Sequence, residues 1–152
     1  MKANFLSLRE SELGPVFISL DQLVNAFLKK KQFPMILVSG EMGAGKTTFI
    51  REWFSRMGTE SSINSPTFSL YNIYDSPNFR LYHFDLYRIK LAQELDELGF
   101  EEIWGKEGVS AIEWWQIADS YLPKTNRILL SIESDSIEFR SYTLEWSETE
   151  VL

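Results

Sequence analysis

Eight consecutive residues carry the first chemical statement in this 152-residue chain: Gly40-Glu41-Met42-Gly43-Ala44-Gly45-Lys46-Thr47 follow the pattern G-x-x-x-x-G-K-[ST]. Glycines at this spacing let backbone N–H groups converge on phosphate oxygens. The amides of Gly43, Ala44, Gly45, Lys46, Thr47 and Thr48 are placed to do so. Lys46 would reach the outer phosphates, and the Thr47 hydroxyl would ligate Mg²⁺. A chance match in a chain of this length is on the order of one in two hundred. Nucleoside triphosphate chemistry also needs a carboxylate at the end of a neighbouring strand, to hold the ion or its water. Leu81-Tyr82-His83-Phe84-Asp85 and Val109-Ser110-Ala111-Ile112-Glu113 each close an apolar run with an acid. Asp85 and Glu113 are therefore the catalytic and metal candidates, Glu113 the better placed. Sequence leaves open which one touches the ion.

Three further residues stand near this chemistry. Thr67, after Ser65-Pro66, lies where a switch threonine can sense the γ-phosphate, and equally where a Ser-Pro turn is capped. His83 reads as a packed, hydrogen-bonded histidine rather than a catalyst. Trp114 follows Glu113 directly, so that stacking near the nucleotide and a core role both remain open.

A phosphate loop works only when a buried strand delivers it to a helix N-terminus. Met35-Ile36-Leu37-Val38 supplies the strand and Thr48 to Phe54 the helix, with Gly58 as its stop. Upstream, Ser19-Leu20-Asp21-Gln22 has capping-box spacing ahead of apolar residues at helical intervals, and predicts a helix starting at Ser19 and ending in Lys29-Lys30-Lys31. That lysine run reads as a solvated helix end. Ser61 to Thr67 predicts a polar loop. Phe68 to Tyr74 and Phe79 to Asp85, joined by Asp75-Ser76-Pro77-Asn78, predict a hairpin. Ala92 to Leu98 predicts a short acidic helix stopped by Gly99, and Val109 to Ile112 a buried strand. Arg127 to Glu133 and Ile137 to Trp146 predict a second hairpin. The expected fold class is α/β: a single P-loop NTPase-like domain over residues 1–152, with a mixed parallel and antiparallel sheet flanked by helices.

Composition narrows the rest. The chain has no cysteine and one histidine, which excludes a disulfide scaffold, a thiolate metal site and a cysteine nucleophile. No apolar run approaches a membrane span and no signal-peptide pattern opens the chain, so a cytoplasmic location is expected. A net charge of −7 disfavours bulk attraction to a polyanion, so nucleic acid is expected only through a partner. The absence of an N-K-x-D guanine-reading motif points to ATP.

Four segments together resemble one family: Gly40 to Phe49, Ser65-Pro66-Thr67-Phe68, His83-Phe84-Asp85-Leu86-Tyr87-Arg88 and Ile112-Glu113-Trp114. The stretch Glu94 to Gly99 fits as well. They look like the TsaE (YjeE) family, bacterial P-loop ATPases required for making threonylcarbamoyladenosine in tRNA. The resemblance implies Mg-ATP on the loop and slow hydrolysis stimulated by partners, the TsaD and TsaB proteins. It also implies phosphate and Mg²⁺ contacts at Lys46 and Thr47, switch and metal-side roles for Thr67 and Asp85, and a catalytic or metal-linked Glu113 beside Trp114. Ser19 falls where the family commonly has a threonine near the nucleotide. Three departures are visible. Trp115 stands where proline usually follows I-E-W, the L-G pair after Ser19 is missing, and Arg140 is a weak substitute for a basic position in the last hairpin. A small-molecule kinase and a non-hydrolysing, nucleotide-gated adaptor are the alternatives. The absence of an arginine-rich lid argues against the first, and Glu113 at a strand end against the second.

Overall fold

The structure is a computed structural model, which describes residues 1–62 and 70–151. Eight strands form one sheet among them: β1 Lys2–Leu8, β2 Met35–Ser39, β3 Glu60–Ser62, β4 Tyr71–Asp75, β5 Arg80–Asp85, β6 Val109–Glu113, β7 Arg127–Ser134 and β8 Arg140–Trp146. Their spatial order is β1-β8-β7-β2-β6-β5-β4-β3. The four central strands, β7, β2, β6 and β5, run parallel, and antiparallel pairs extend the sheet on both sides. β2 reads as an unbroken apolar run because both its faces are covered; Met35, Ile36, Leu37 and Val38 are all buried.

One face carries α1 (Gly14–Lys29) and α2 (Lys46–Arg56). Phe17, Leu20, Phe49 and Trp53 pack there against Ile36, Val38, Ala111 and Leu130. Phe49 holds three elements together: its ring centroid lies 4.8 Å from Phe17 on α1 and 5.6 Å from Tyr142 on β8. Trp53 Nε1 donates to Asp21 Oδ1 at 2.7 Å, tying α2 to α1. The other face is covered by short 3-10 turns, with Phe100, Trp104 and Leu122 over Leu37, Phe84 and Ile112. A short helix, α3 (Glu148–Val151), follows β8. Among the described residues no helix is long and apolar enough to cross a membrane.

The mixed sheet, the strand–loop–helix unit and both hairpins match expectation, as do Gly58 and Gly99, which adopt positive φ of 70° and 73° where the preceding helical turns stop. Four details differ. α1 begins at Gly14, so Ser19 is an interior helical residue and not its N-cap. Apolar periodicity explains this. Leu13, Val16, Phe17, Leu20, Leu23, Val24 and Phe27 form one buried stripe that starts well before Ser19. Pro15 fits the first turn, where its missing N–H would have no partner in any case. The expected polar loop is extended at its start, where β3 pairs with β4; the remainder of that loop, Thr67 included, and the start of the strand predicted from Phe68 lie outside the described residues. The acidic helix over Ala92–Glu97 is 3-10 rather than α. β1 carried no sequence expectation at all; it alternates only loosely, and a bulge between Phe5 and Leu8, with Ser7 at φ 52°, breaks its period.

Candidate functional site

The site gathers at the carboxyl ends of the parallel strands, where an open α/β sheet holds its ligands. The loop after β2 turns at Gly43 (φ 81°) and Gly45 (φ 97°), two left-handed positions that glycine adopts without cost. Gly45 is also the N-cap of α2, so the loop amides and the helix N-terminus face the same point. Gly40 lies against the neighbouring strand: a Cβ there would stand 2.7 Å from the Ile132 carbonyl oxygen of β7. Ala44 is buried under the turn, and Thr48 is exposed at its rim.

Lys46 folds back over this loop. Its Nζ donates to the Gly40 carbonyl oxygen and sits 3.8 Å from the centre of the Trp114 ring. Burial pushes the Lys46 ammonium below its ordinary pKa, while the nearby Glu113 and Asp85 charges act in the opposite direction. The Thr47 hydroxyl lies against the carboxylate of Glu113, 2.9 Å from Oε1 and 2.8 Å from Oε2. His83 Nε2 approaches Glu113 Oε2 at 2.5 Å. Glu113 and His83 are 2% and 5% exposed, which makes this a buried polar cluster with each member bonded.

Asp85 pairs in register with Glu113 on the adjacent strand and stays exposed. Its Oδ1 accepts the Tyr87 N–H at 3.1 Å, a turn-capping contact. Thus the structure seats Glu113 against the loop and Asp85 at the rim. Trp114 takes a left-handed backbone conformation (φ 56°), and its ring lies 5.1 Å from that of Tyr87. Trp115 begins a 3-10 turn and donates from Nε1 to Ser39 Oγ at 3.0 Å, anchoring the segment after Glu113 to the end of β2.

Arg140 lies over the loop from the other side. A Cβ on Gly45 would be 3.4 Å from its Nε, and that Nε is buried without a hydrogen-bond partner among the described residues. A small cavity of about 70 Å³ opens here between Glu10, Leu13, Gly45, Thr48, Arg140 and Tyr142. A larger cleft of about 750 Å³ runs along the loop between Ser39–Ala44 and the end of β7. Ser19 sits half-buried inside α1, and from that segment Leu13, just before the helix start, lines the small cavity with Gly45. His83 is packed and hydrogen-bonded, as the sequence suggests; what the sequence does not give is its partner, Glu113. The signal for it was the position of His83 two residues before Asp85, which puts both on one face of β5.

This geometry is that of a P-loop nucleotide-binding protein. The model of the family described as "Threonylcarbamoyl adenosine biosynthesis protein TsaE" matches residues 17–142, and the chain belongs to that family. A TsaE of Borreliella burgdorferi is 36% identical over 123 residues, covering 77% of this chain and 88% of that protein. A TsaE of Rickettsia typhi is 48% identical over 84 residues, 55% of this chain; the match spans 58% of the relative's length. In fold, a crystal structure of Bacillus subtilis YdiB superposes with a TM-score of 0.66 at 23% identity, covering 95% of this chain and 84% of that one.

Proposed function

We propose that this chain is a Mg²⁺-dependent ATPase serving the biosynthesis of threonylcarbamoyladenosine in tRNA, the process named for its relatives. The observation that carries the hydrolytic part is the contact of Thr47 with Glu113 at the head of the phosphate loop. The donors suit the groups they would hold. A hydroxyl and a carboxylate are the hard oxygen ligands that Mg²⁺ takes alongside phosphate oxygens and water. The Arg140 Nε, without a partner among the described residues and above a glycine whose missing side chain keeps the approach open, suits an anionic or ribose oxygen.

In this reading the amides of Gly43 to Thr48 bind the phosphates, and Lys46 leaves the Gly40 carbonyl to meet the β and γ oxygens. Mg²⁺ bound beside Thr47 would neutralise charge that develops on the phosphates. Glu113 fixes the Thr47 hydroxyl and stands where it can orient or deprotonate the attacking water, with Asp85 as the second carboxylate at the rim. Trp114, freed of the Lys46 ammonium, offers an aromatic wall. Thr67 serves as the switch residue that responds to the γ-phosphate.

TsaD and TsaB are the partners, tRNA is met only through them, and the compartment is the cytoplasm. The net charge of −7 supports the indirect route, since tRNA approaching the isolated chain would work against long-range repulsion. The test is a pull-down of TsaD and TsaB with ATP, ADP or no nucleotide, run beside a tRNA gel shift. The expected outcome is capture that differs between ATP and ADP, with no tRNA shift by the isolated chain at physiological salt. Tight tRNA binding alone, with no capture in any nucleotide state, overturns the assignment.

A further inference from the structure

We infer that His83 is a positioning residue, which sets the direction of the Thr47 hydroxyl by holding Glu113. The inference deepens the nucleotide reading above and rests on it. A carboxylate only accepts hydrogen bonds, so His83 Nε2 is the donor in its 2.5 Å contact with Glu113 Oε2. That contact ties Oε2 to β5. Thr47 Oγ1 lies 2.8–2.9 Å from both oxygens and has a single hydrogen, which it gives to Glu113. With the hydrogen directed inward, the hydroxyl lone pairs face outward, as a cation ligand must present them. His83 itself has little freedom. It is 5% exposed, and its ring meets that of Phe54 on α2 edge-on at 6.4 Å.

Without the imidazole N–H, Glu113 remains buried with one partner fewer, and a carboxylate in that state turns toward another donor. That turn frees the Thr47 hydroxyl to rotate. The metal-side geometry is then lost while the loop amides that hold the phosphates stay in place. Groups behind metal ligands have this influence generally, their removal weakening metal affinity or activity about 10–100-fold.

The experiment compares His83→Leu, His83→Gln and His83→Asn in the full chain. Three quantities are read: ADP affinity in EDTA by calorimetry, Mn²⁺ affinity of the ADP complex by electron paramagnetic resonance, and kcat and KM for ATP. Leucine removes the donor, glutamine puts an amide N–H near the position of Nε2, and asparagine is too short to reach it. The expected result for the leucine and asparagine variants is Mn²⁺ affinity and kcat lowered about 10–100-fold, with ADP affinity in EDTA within about twofold of the unaltered chain. The glutamine variant should stay within about threefold on every measure. Undiminished Mn²⁺ affinity in a folded leucine variant overturns the inference, as does a glutamine variant as impaired as asparagine. If the leucine variant fails to fold, the glutamine–asparagine pair decides alone. Failure of the unaltered chain to bind ADP would instead refute the nucleotide reading, so the two failures are distinct.

Discussion

At the scale of single residues, Lys46 is a buried cation held between the Gly40 carbonyl and the ring of Trp114. G-x-x-x-x-G-K-[ST] names Lys46 and Thr47 because backbone geometry leaves few alternatives at those positions. Nothing in the string says that Lys46 rests on the Gly40 carbonyl and the Trp114 ring, or that His83 and Thr47 share Glu113. Such contacts depend on which strands become neighbours. Two predictions belong here. Burial lowers the Lys46 pKa, so its ammonium is held at a cost against the loop. Lys46→Ala should therefore leave the melting temperature unchanged or higher while weakening Mg-ATP binding by about 2 kcal/mol or more. Calorimetry and thermal unfolding on one sample would show this split, and unaltered ATP affinity would defeat the loop assignment. Glu113→Gln should keep ATP binding and slow partner-stimulated hydrolysis at least roughly tenfold. Asp85→Asn in the same assay tests the exposed rival, and a larger loss there would reverse the order of the two carboxylates.

At the scale of elements, strands with both faces buried and turns marked by glycine were readable from pattern alone. Helix α1 shows the limit. Ser19 offers a capping signal, yet the apolar stripe begins at Leu13, and burial of that stripe outweighs a capping contribution of about 1 kcal/mol. β1 was missed because its bulge destroys the period on which strand assignment depends. The junction of the loop with β7 yields a prediction of its own. A methyl group on Gly40 would press on the Ile132 carbonyl oxygen, a backbone atom with little room to yield. Gly40→Ala should cost about 1–3 kcal/mol in stability through overpacking. Because the loop must also shift, its ATP affinity should fall more than that of a surface substitution such as Ile137→Ser, and calorimetry on the pair checks it. Equal affinities would mean that the loop tolerates displacement from β7.

At the scale of the molecule, the parallel strands position the site and the antiparallel flanks enclose it. Beyond the site, a clamp holds the connection that leads into β7. Arg127 donates to Asp119 Oδ1 at 2.8 Å and to the carbonyl oxygens of Pro123 and Leu122. The guanidinium holds the Asp119 carboxyl below its ordinary value of 3.8. A lowered carboxylate contributes stability above the unfolded value and loses it as pH falls through the folded one. Asp119→Asn should accordingly lower the melting temperature at pH 7, and the difference from the unaltered chain should shrink as the pH drops below 3.8. A gap that persists unchanged to lower pH would show that the amide disturbs packing rather than charge.

The pairing of β1 with β8 sets a timetable for synthesis. The strand that completes one edge of the sheet is made well before its partner, Arg140–Trp146, which emerges more than a hundred residues later. At ribosomal speeds of about 5–20 residues per second, Ala3, Phe5 and Leu8 wait roughly seven to thirty seconds for their place against the core. Lys2 in the strand, and the bulge at Ser7, interrupt the regular ladder that another nascent chain would need in order to pair with it. An irregularity that hid the strand from pattern reading thus guards it while it waits on the ribosome.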